Sequence, residues 1–301
     1  LPKLTVRGAR WWTLGIAVAL WFAAGSLGGT VCAAEADSPP KSAEKEKSAS
    51  EEDVVEEWSV PEITEPSGVV YHAGRGTVFV VSDEGVIGEV DLDGKLLASR
   101  DIGGDLEGVT YDPSTGHLFV IREGHEILFE LDPASFKILR RFTIDRAFEG
   151  DPDYLQRGGN GIEGIAFVPD ESHHEGGRFF AVNQFDPAAL IELHLPLRTS
   201  EEKFEKAIIV GAHSVSASPL SSLEWSEELR AFLVSSSLWR SVHVVDENGN
   251  SRQRVRVPGL MQEGITRIPG GFVIAQDTGG LIKWIPVSDP FASAGPAGDG
   301  P

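Results

Sequence analysis

Leu106-Glu107-Gly108-Val109-Thr110-Tyr111 decides the fold, because the chain repeats it in variant form. Four segments line up with it: Pro66-Ser67-Gly68-Val69-Val70-Tyr71, Ile162-Glu163-Gly164-Ile165-Ala166-Phe167, Leu220-Ser221-Ser222-Leu223-Glu224-Trp225 and Gln262-Glu263-Gly264-Ile265-Thr266-Arg267. Their second residues, at 67, 107, 163, 221 and 263, stand 40, 56, 58 and 42 apart. Self-similarity at such a period marks a repeat architecture, in which each unit buries its apolar faces against its neighbours.

The segments downstream of the hexapeptides repeat as well. A turn leads into a β-rich apolar run: TVFVVS at 77–82, HLFVI at 117–121, RFFAV at 178–182, AFLVS at 231–235 and GFVIA at 271–275. Third strands are expected at 86–91, 126–131, 189–195, 241–246 and 281–286, and Asp/Gly turns such as Asp91-Leu92-Asp93-Gly94 return the chain into a fourth. No stretch between 58 and 287 keeps an apolar period of 3.6 residues over three turns, so helices are not expected. The reading is all-β: a five-bladed β-propeller of four-stranded antiparallel blades. An irregular β-sandwich is the alternative, and five matched units disfavour it. The fifth unit lacks its outer strand, which EWSVPEI at 57–63 can supply, so an N-terminal strand would close the ring on the last blade. The two long spacings mark insertions at 145–159 and 196–206. Within the glycine-rich 157–161, a bend before a strand is expected, since no helix comes after it to cradle a phosphate.

First strands line the channel of a propeller, so equivalent positions form a ring about its axis. Here that ring is Ser67, Glu107, Glu163, Ser221 and Glu263. Three carboxylates facing one another cannot all stay ionised uncompensated. The donors are all oxygens, which selects a hard cation, calcium ahead of magnesium, over zinc or copper. The bland alternative is that glycine permits close strand approach while glutamate is solvated in the channel. The ends of the second strands give an outer ring, Asp83, Glu123, Gln184, Ser236 and Gln276, with Glu84 and Asp277 beside it. It would support the metal or line a ligand-binding mouth. His173-His174 sits in a charged turn and reads as solvated surface.

The chain holds 301 residues with 26 basic and 46 acidic groups, a net charge of −20. So acidic a body repels phosphate backbones, and nucleic acid is not an expected partner. One cysteine, Cys32, excludes a disulfide framework and a cysteine-based zinc site. Lys3, Arg7 and Arg10 precede an apolar run over 11–31 that ends in Val31-Cys32-Ala33-Ala34. That order reads as a signal peptide or an N-terminal membrane anchor over 1–34, with 11–31 as the tether if it is retained. Residues 35–57 read as a disordered charged linker, 58–287 as the propeller and 288–301 as a disordered, low-complexity tail. The body is therefore expected in the periplasm or outside the cell.

The run EPSGVVYHAGRGTVFVVSDEG at 65–85, the recurring LEGVTY, IEGIAF and QEGIT, and the N-terminal segment together resemble the SdiA-regulated (YjiK-like) family. The similarity covers about residues 58–286, and order and spacing carry it more than any single hexapeptide. It implies a five-bladed propeller distantly related to NHL-repeat proteins, an export or anchoring segment and a bound calcium, with no established enzymatic activity. It places Glu107, Glu163 and Glu263 on the family's acidic inner-strand positions. Where an Asp-Glu pair is expected, this chain has Arg122-Glu123, and Arg122 either neutralises the ring or points outward.

No nucleophile elbow, zinc-protease motif, phosphate-binding loop or dinucleotide fingerprint occurs in the sequence. The expected function is an exported or envelope-anchored calcium-binding propeller acting as a non-catalytic binding or structural module. Its channel mouth would take a small molecule, a glycan or a protein segment. The alternative is a metal-dependent hydrolase, of lactonase or phosphoesterase (phytase-like) type, using the same central cation with Glu123 or Asp83 as base. That alternative rests on fold analogy alone.

Overall fold

A computed structural model of the chain describes residues 53–156 and 161–295. The expected signal or anchor, most of the linker and the glycine-rich bend lie outside those residues.

Twenty strands run in order: β1 (Val54–Trp58), β2 (Pro66–His72), β3 (Thr77–Ser82), β4 (Val86–Val90), β5 (Leu96–Asp101), β6 (Leu106–Tyr111), β7 (Leu118–Arg122), β8 (Ile127–Leu131), β9 (Ile138–Ile144) and β10 (Ile162–Pro169). The second half holds β11 (Gly177–Asn183), β12 (Ala189–His194), β13 (Phe204–Ser214), β14 (Ser222–Ser226), β15 (Ala231–Ser236), β16 (Ser241–Val245), β17 (Ser251–Arg256), β18 (Gln262–Ile268), β19 (Gly271–Gln276) and β20 (Leu281–Ile285). They pair as antiparallel meanders, β2–β5, β6–β9, β10–β13 and β14–β17, while β18–β20 take β1 as their outermost strand. Among the described residues, no helix is long and apolar enough to cross a membrane.

The outermost strand of each unit is its least buried. In the first, β3 is buried along its length, β4 nearly so, and β5 is exposed beyond its first residue. Inner strands sandwiched on both faces read as continuous apolar runs, as TVFVVS does; outer strands wetted on one side do not. The apolar side chains sort into five clusters, each bridging two consecutive units. One joins Val70, Phe79 and Val81 to Leu106, Val120 and Phe129; another joins Val273 and Ala275 of the last unit to Val69, Val78 and Val80 of the first. The first strands touch in the same cyclic order, β2, β6, β10, β14, β18 and back to β2. The arrangement is propeller-like, with first strands innermost.

Three features depart from expectation. The closing strand is Val54–Trp58, not 57–63, pairing Val54 with Ile285 and Trp58 with Leu281. Pro61 has no N–H for a ladder, so the residues around it turn inward instead, burying Val60 and Ile63. An outermost strand tolerates charge on its free side, so Val-Val-Glu-Glu, which reads as the end of a tether, forms one. The tail is packed up to the last described residues: Phe291 is fully buried against Phe272, ring centroids 5.3 Å apart. The inserted segments join two units. β13 spends its first four residues in parallel pairing with β9, from Phe204 opposite Arg141 to Ala207 opposite Ile144, before pairing with β12 from Ile208 onward.

Candidate metal centre and channel mouth

Four of the inner strands carry a bulge where the ring residue sits. The ladder slips between Pro66 and Val69, Leu106 and Val109, Ile162 and Gly164, and Gln262 and Gly264. A bulge leaves a residue unpaired and re-aims its side chain, which turns Ser67, Glu107, Glu163 and Glu263 out of the ladder. The glycine after each has a different task. A Cβ on Gly68, Gly108, Gly164 or Gly264 would lie under 3.0 Å from backbone of a neighbouring inner strand. Glycine therefore sets how closely these strands approach. The fourth unit has Ser222 there, its hydroxyl bonded to Ser235 Oγ at 2.6 Å.

The glutamates converge. Glu107 and Glu163 are buried, and Ser67 Oγ donates to Glu107 Oε2. Burial first, then Glu163 and Asp83, hold the Glu107 carboxyl well above the usual range. Burial, then Glu123, push Glu163 up to about 9; burial, then Glu107 and Asp277, push Glu263 to about 9. Asp83 rises to about 7 through burial, Asp105, Asp277 and Glu65. The charges named in each case are negative. Arg122 does not answer them: its guanidinium lies 5.2 Å over the Phe129 ring, and its stem packs where a Gly104 Cβ would be.

Ser221 departs from the expected ring. It is buried and its hydroxyl donates to Gln262 O at 2.8 Å, bridging the fourth and fifth units where glycine is missing. The expected outer ring is corrected at two places. Ladder register aligns Pro66–Ser82, Leu106–Arg122, Ile162–Asn183 and Gln262–Gln276, so the next residues, Asp83, Glu123, Gln184 and Asp277, are equivalent. Gln276 lies one residue early, and its Oε1 accepts Leu260 N at 2.8 Å. In the fourth unit Leu223 pairs with Val234, which makes Ser237 the equivalent and leaves Ser236 fully buried on β15. One residue's slip on a strand reverses the face a side chain points to.

Sequence reasoning missed Asp105. The backbone N–H groups of Asp83, Glu123, Gln184 and Asp277 donate to the carbonyls of Glu65, Asp105, Gly161 and Met261, each two residues before a ring position. That link brings Asp105 beside Glu123 and the ring. One carboxylate oxygen each from Asp83, Asp105 and Glu107 lie within 4.8 Å of one another. Such an all-oxygen group could hold a metal ion. On the same end, the loops of the third to fifth units expose Phe185, Leu238, Trp239, Leu260 and Met261. The mouth thus combines carboxylates with exposed apolar side chains.

His174, expected as bare surface, meets Glu175 and chain-distant His194 with donor atoms within 4.8 Å. Glu175 is already committed: it accepts Arg198 N, Thr199 N and Thr199 Oγ1.

A family model, SdiA-regulated, matches residues 52–290. The chain belongs to the SdiA-regulated family. Among solved structures it is similar to glutaminyl cyclase of Myxococcus xanthus at 16% identity and TM-score 0.54, over 79% of this chain and 97% of that one. It is also similar to an assigned gluconolactonase at 15% identity and TM-score 0.49, over 80% of this chain and 94% of the other. At such identity the likeness to the cyclase concerns the fold alone. No curated protein matches the chain.

Proposed function

We propose that this SdiA-regulated family member is a five-bladed propeller whose acidic mouth binds calcium, and that it serves as a non-catalytic binding or structural module of the cell envelope. The observation that carries the metal is the convergence of Asp83, Asp105 and Glu107, backed by Glu163 and Glu263 and crowded mainly by other carboxylates. The fit is chemical: hard oxygen donors, no sulfur or imidazole, and carboxyls that would otherwise take up protons. When bound, calcium supplies the missing positive charge and ties the first two blades together. Ser67 orients Glu107 toward it, and the exposed Trp239 and Leu260 give the mouth an apolar wall for a ligand.

Melting of the purified protein with calcium, magnesium or chelator at matched ionic strength tests the reading. Calcium should raise the transition most, since a ligand bound only by the folded state stabilises it in proportion to saturation, and Asp105→Asn should remove most of that rise. Identical curves would take the metal out of the account. Calcium-dependent turnover of lactones or aryl phosphates, abolished by Glu163→Gln, would replace the non-catalytic reading with hydrolysis. Envelope location is tested separately, by fractionation of cells expressing the full chain.

A further inference from the structure

The opposite ends of the inner strands carry another chemistry. Three residues beyond the ring positions stand Val70, Thr110, Ala166, Glu224 and Thr266; the next residues are Tyr71, Tyr111, Phe167, Trp225 and Arg267. The polar members of the first set stitch neighbouring units. Thr110 Oγ1 accepts Phe167 N at 3.1 Å, Thr266 Oγ1 accepts Tyr71 N at 2.9 Å, and Glu224 Oε1 accepts Arg267 N at 3.0 Å. Glu224 Oε1 also accepts the Thr266 hydroxyl at 2.7 Å, so stitching occupies that oxygen, while Oε2, which threonine would not supply, is the one left over.

Glu224 has little positive charge to answer it. The Arg267 guanidinium turns away, 4.8 Å over the Phe272 ring and 2.7 Å from Asp289 Oδ2. Glu224 Oε2 is left with a share of the Arg267 N–H at 3.1 Å. Burial, opposed by Thr266 and Arg267, pushes the carboxyl up to about 7. Around it opens a pocket of about 410 Å³, lined among others by Tyr71, Tyr111, Phe167, Trp225 and Glu227. Glu227 Oε2 accepts the Trp225 indole N–H at 2.9 Å, fixing that ring.

We propose that this pocket, at the end of the channel away from the acidic ring, binds an organic ammonium cation between the aromatic side chains and the Glu224 carboxylate. Aromatic faces attract cations and do so most strongly when water is excluded. Two carboxylates disfavour anions, and the volume suits a ligand of a few to about fifteen heavy atoms.

Titration of the full-length protein with tetramethylammonium and with benzyltrimethylammonium chloride, followed calorimetrically against sodium chloride at equal ionic strength, tests this. Saturable binding is expected, weakened about tenfold or more by Glu224→Gln, which removes the negative charge facing the ammonium group; tenfold corresponds to about 1.4 kcal/mol. Gln keeps an oxygen for Arg267 N, so the seam persists, and an unchanged melting temperature checks it. Tyr111→Leu gives a second variant should the first be unstable. Glu107→Gln, at the other mouth, should leave the affinity unchanged. Absence of saturable binding overturns the proposal, as does equal affinity in wild type and both pocket variants. So does loss of binding in Glu107→Gln, which would place the cation in the acidic ring; calcium binding there is judged by its own melting curves, so either reading can fail alone.

Discussion

Ser67 of the first unit donates its hydroxyl to the Glu107 carboxylate of the second, across the seam where Gly68 abuts the next inner strand. A donor held against a carboxylate favours its charged form, so Glu107, one of several carboxyls that must ionise to hold the proposed metal, has a fixed partner. Ser67→Ala should weaken calcium binding about tenfold, the scale of a hydrogen bond to a charged group, with the melting temperature in chelator little changed. Calcium titration by calorimetry decides it. Equal affinities would mean that Ser67 only fills space.

The raised carboxyls set the sign of the pH response. Asp83 at about 7 and Glu163 and Glu263 at about 9 bind protons more tightly folded than unfolded. Their contribution is complete below the ordinary carboxylate range and is lost as pH rises through 7 to 9. The metal-free protein should therefore lose stability from pH 5 to pH 9, and calcium should restore more at pH 9 than at pH 5. Melting at both pH values, with chelator and with calcium, reads this directly; a chelator curve that rises with pH would falsify it.

His243 titrates in the other direction. Burial, then Arg254, lowers it to about 4. The unfolded chain takes up a proton near 6.5 that the folded one refuses, so stability is full above 6.5 and falls as pH drops from there to about 4. In His243→Gln this component should vanish, so between pH 6.5 and pH 4 the urea midpoint should move less in the falling direction than it does in the wild type. An unchanged slope would show the imidazole protonates freely when folded.

Glycine at the inner-strand seams offers a purely steric test. A Cβ on Gly108 would come 2.7 Å from Ile165 N, and on Gly164 2.5 Å from Leu223 N, both backbone atoms that cannot step aside. Gly108→Ala and Gly164→Ala should each cost about 1–3 kcal/mol, as overpacking does. Gly124, with open space around it, should cost about 1 kcal/mol on conversion to alanine, from its positive φ of 74° alone. Chemical denaturation compares all three, and equal losses would remove the close-approach role.

The all-β units were legible because an inner strand buried on both faces must be apolar throughout, and the chain writes TVFVVS, HLFVI and their kin at near-regular spacing. The Glu107, Glu163 and Glu263 positions were legible for the same reason: a repeat makes chain-distant residues equivalent. Register was not. Ser236 and Gln276 are the last residues of their strands, but the ladder register makes the residues after them, Ser237 and Asp277, the equivalents of Asp83. Asp105 stayed hidden because it precedes the hexapeptide; the Glu123 N to Asp105 O bond and its grouping with Asp83 and Glu107 reveal its place. Val54–Trp58 was hidden too, since an outermost strand needs few buried side chains, and its ladder bonds leave no compositional trace.

Phe291 carries the last of these hidden contacts. It stands among small residues, Ala292-Ser293-Ala294-Gly295, which read as a solvated tail. In the structure its ring is wholly buried with Trp284 and Phe272, while the neighbouring Asp289 pairs with Arg267. Removing a buried phenylalanine costs about 3–5 kcal/mol, so Phe291→Ala should lower the urea midpoint sharply. Phe291→Leu should recover most of the loss, since it keeps an apolar side chain in the same place. Truncation before Ser288 should be at least as damaging as the alanine change. Wild-type stability in the truncated chain would mean that this segment is not part of the folded unit.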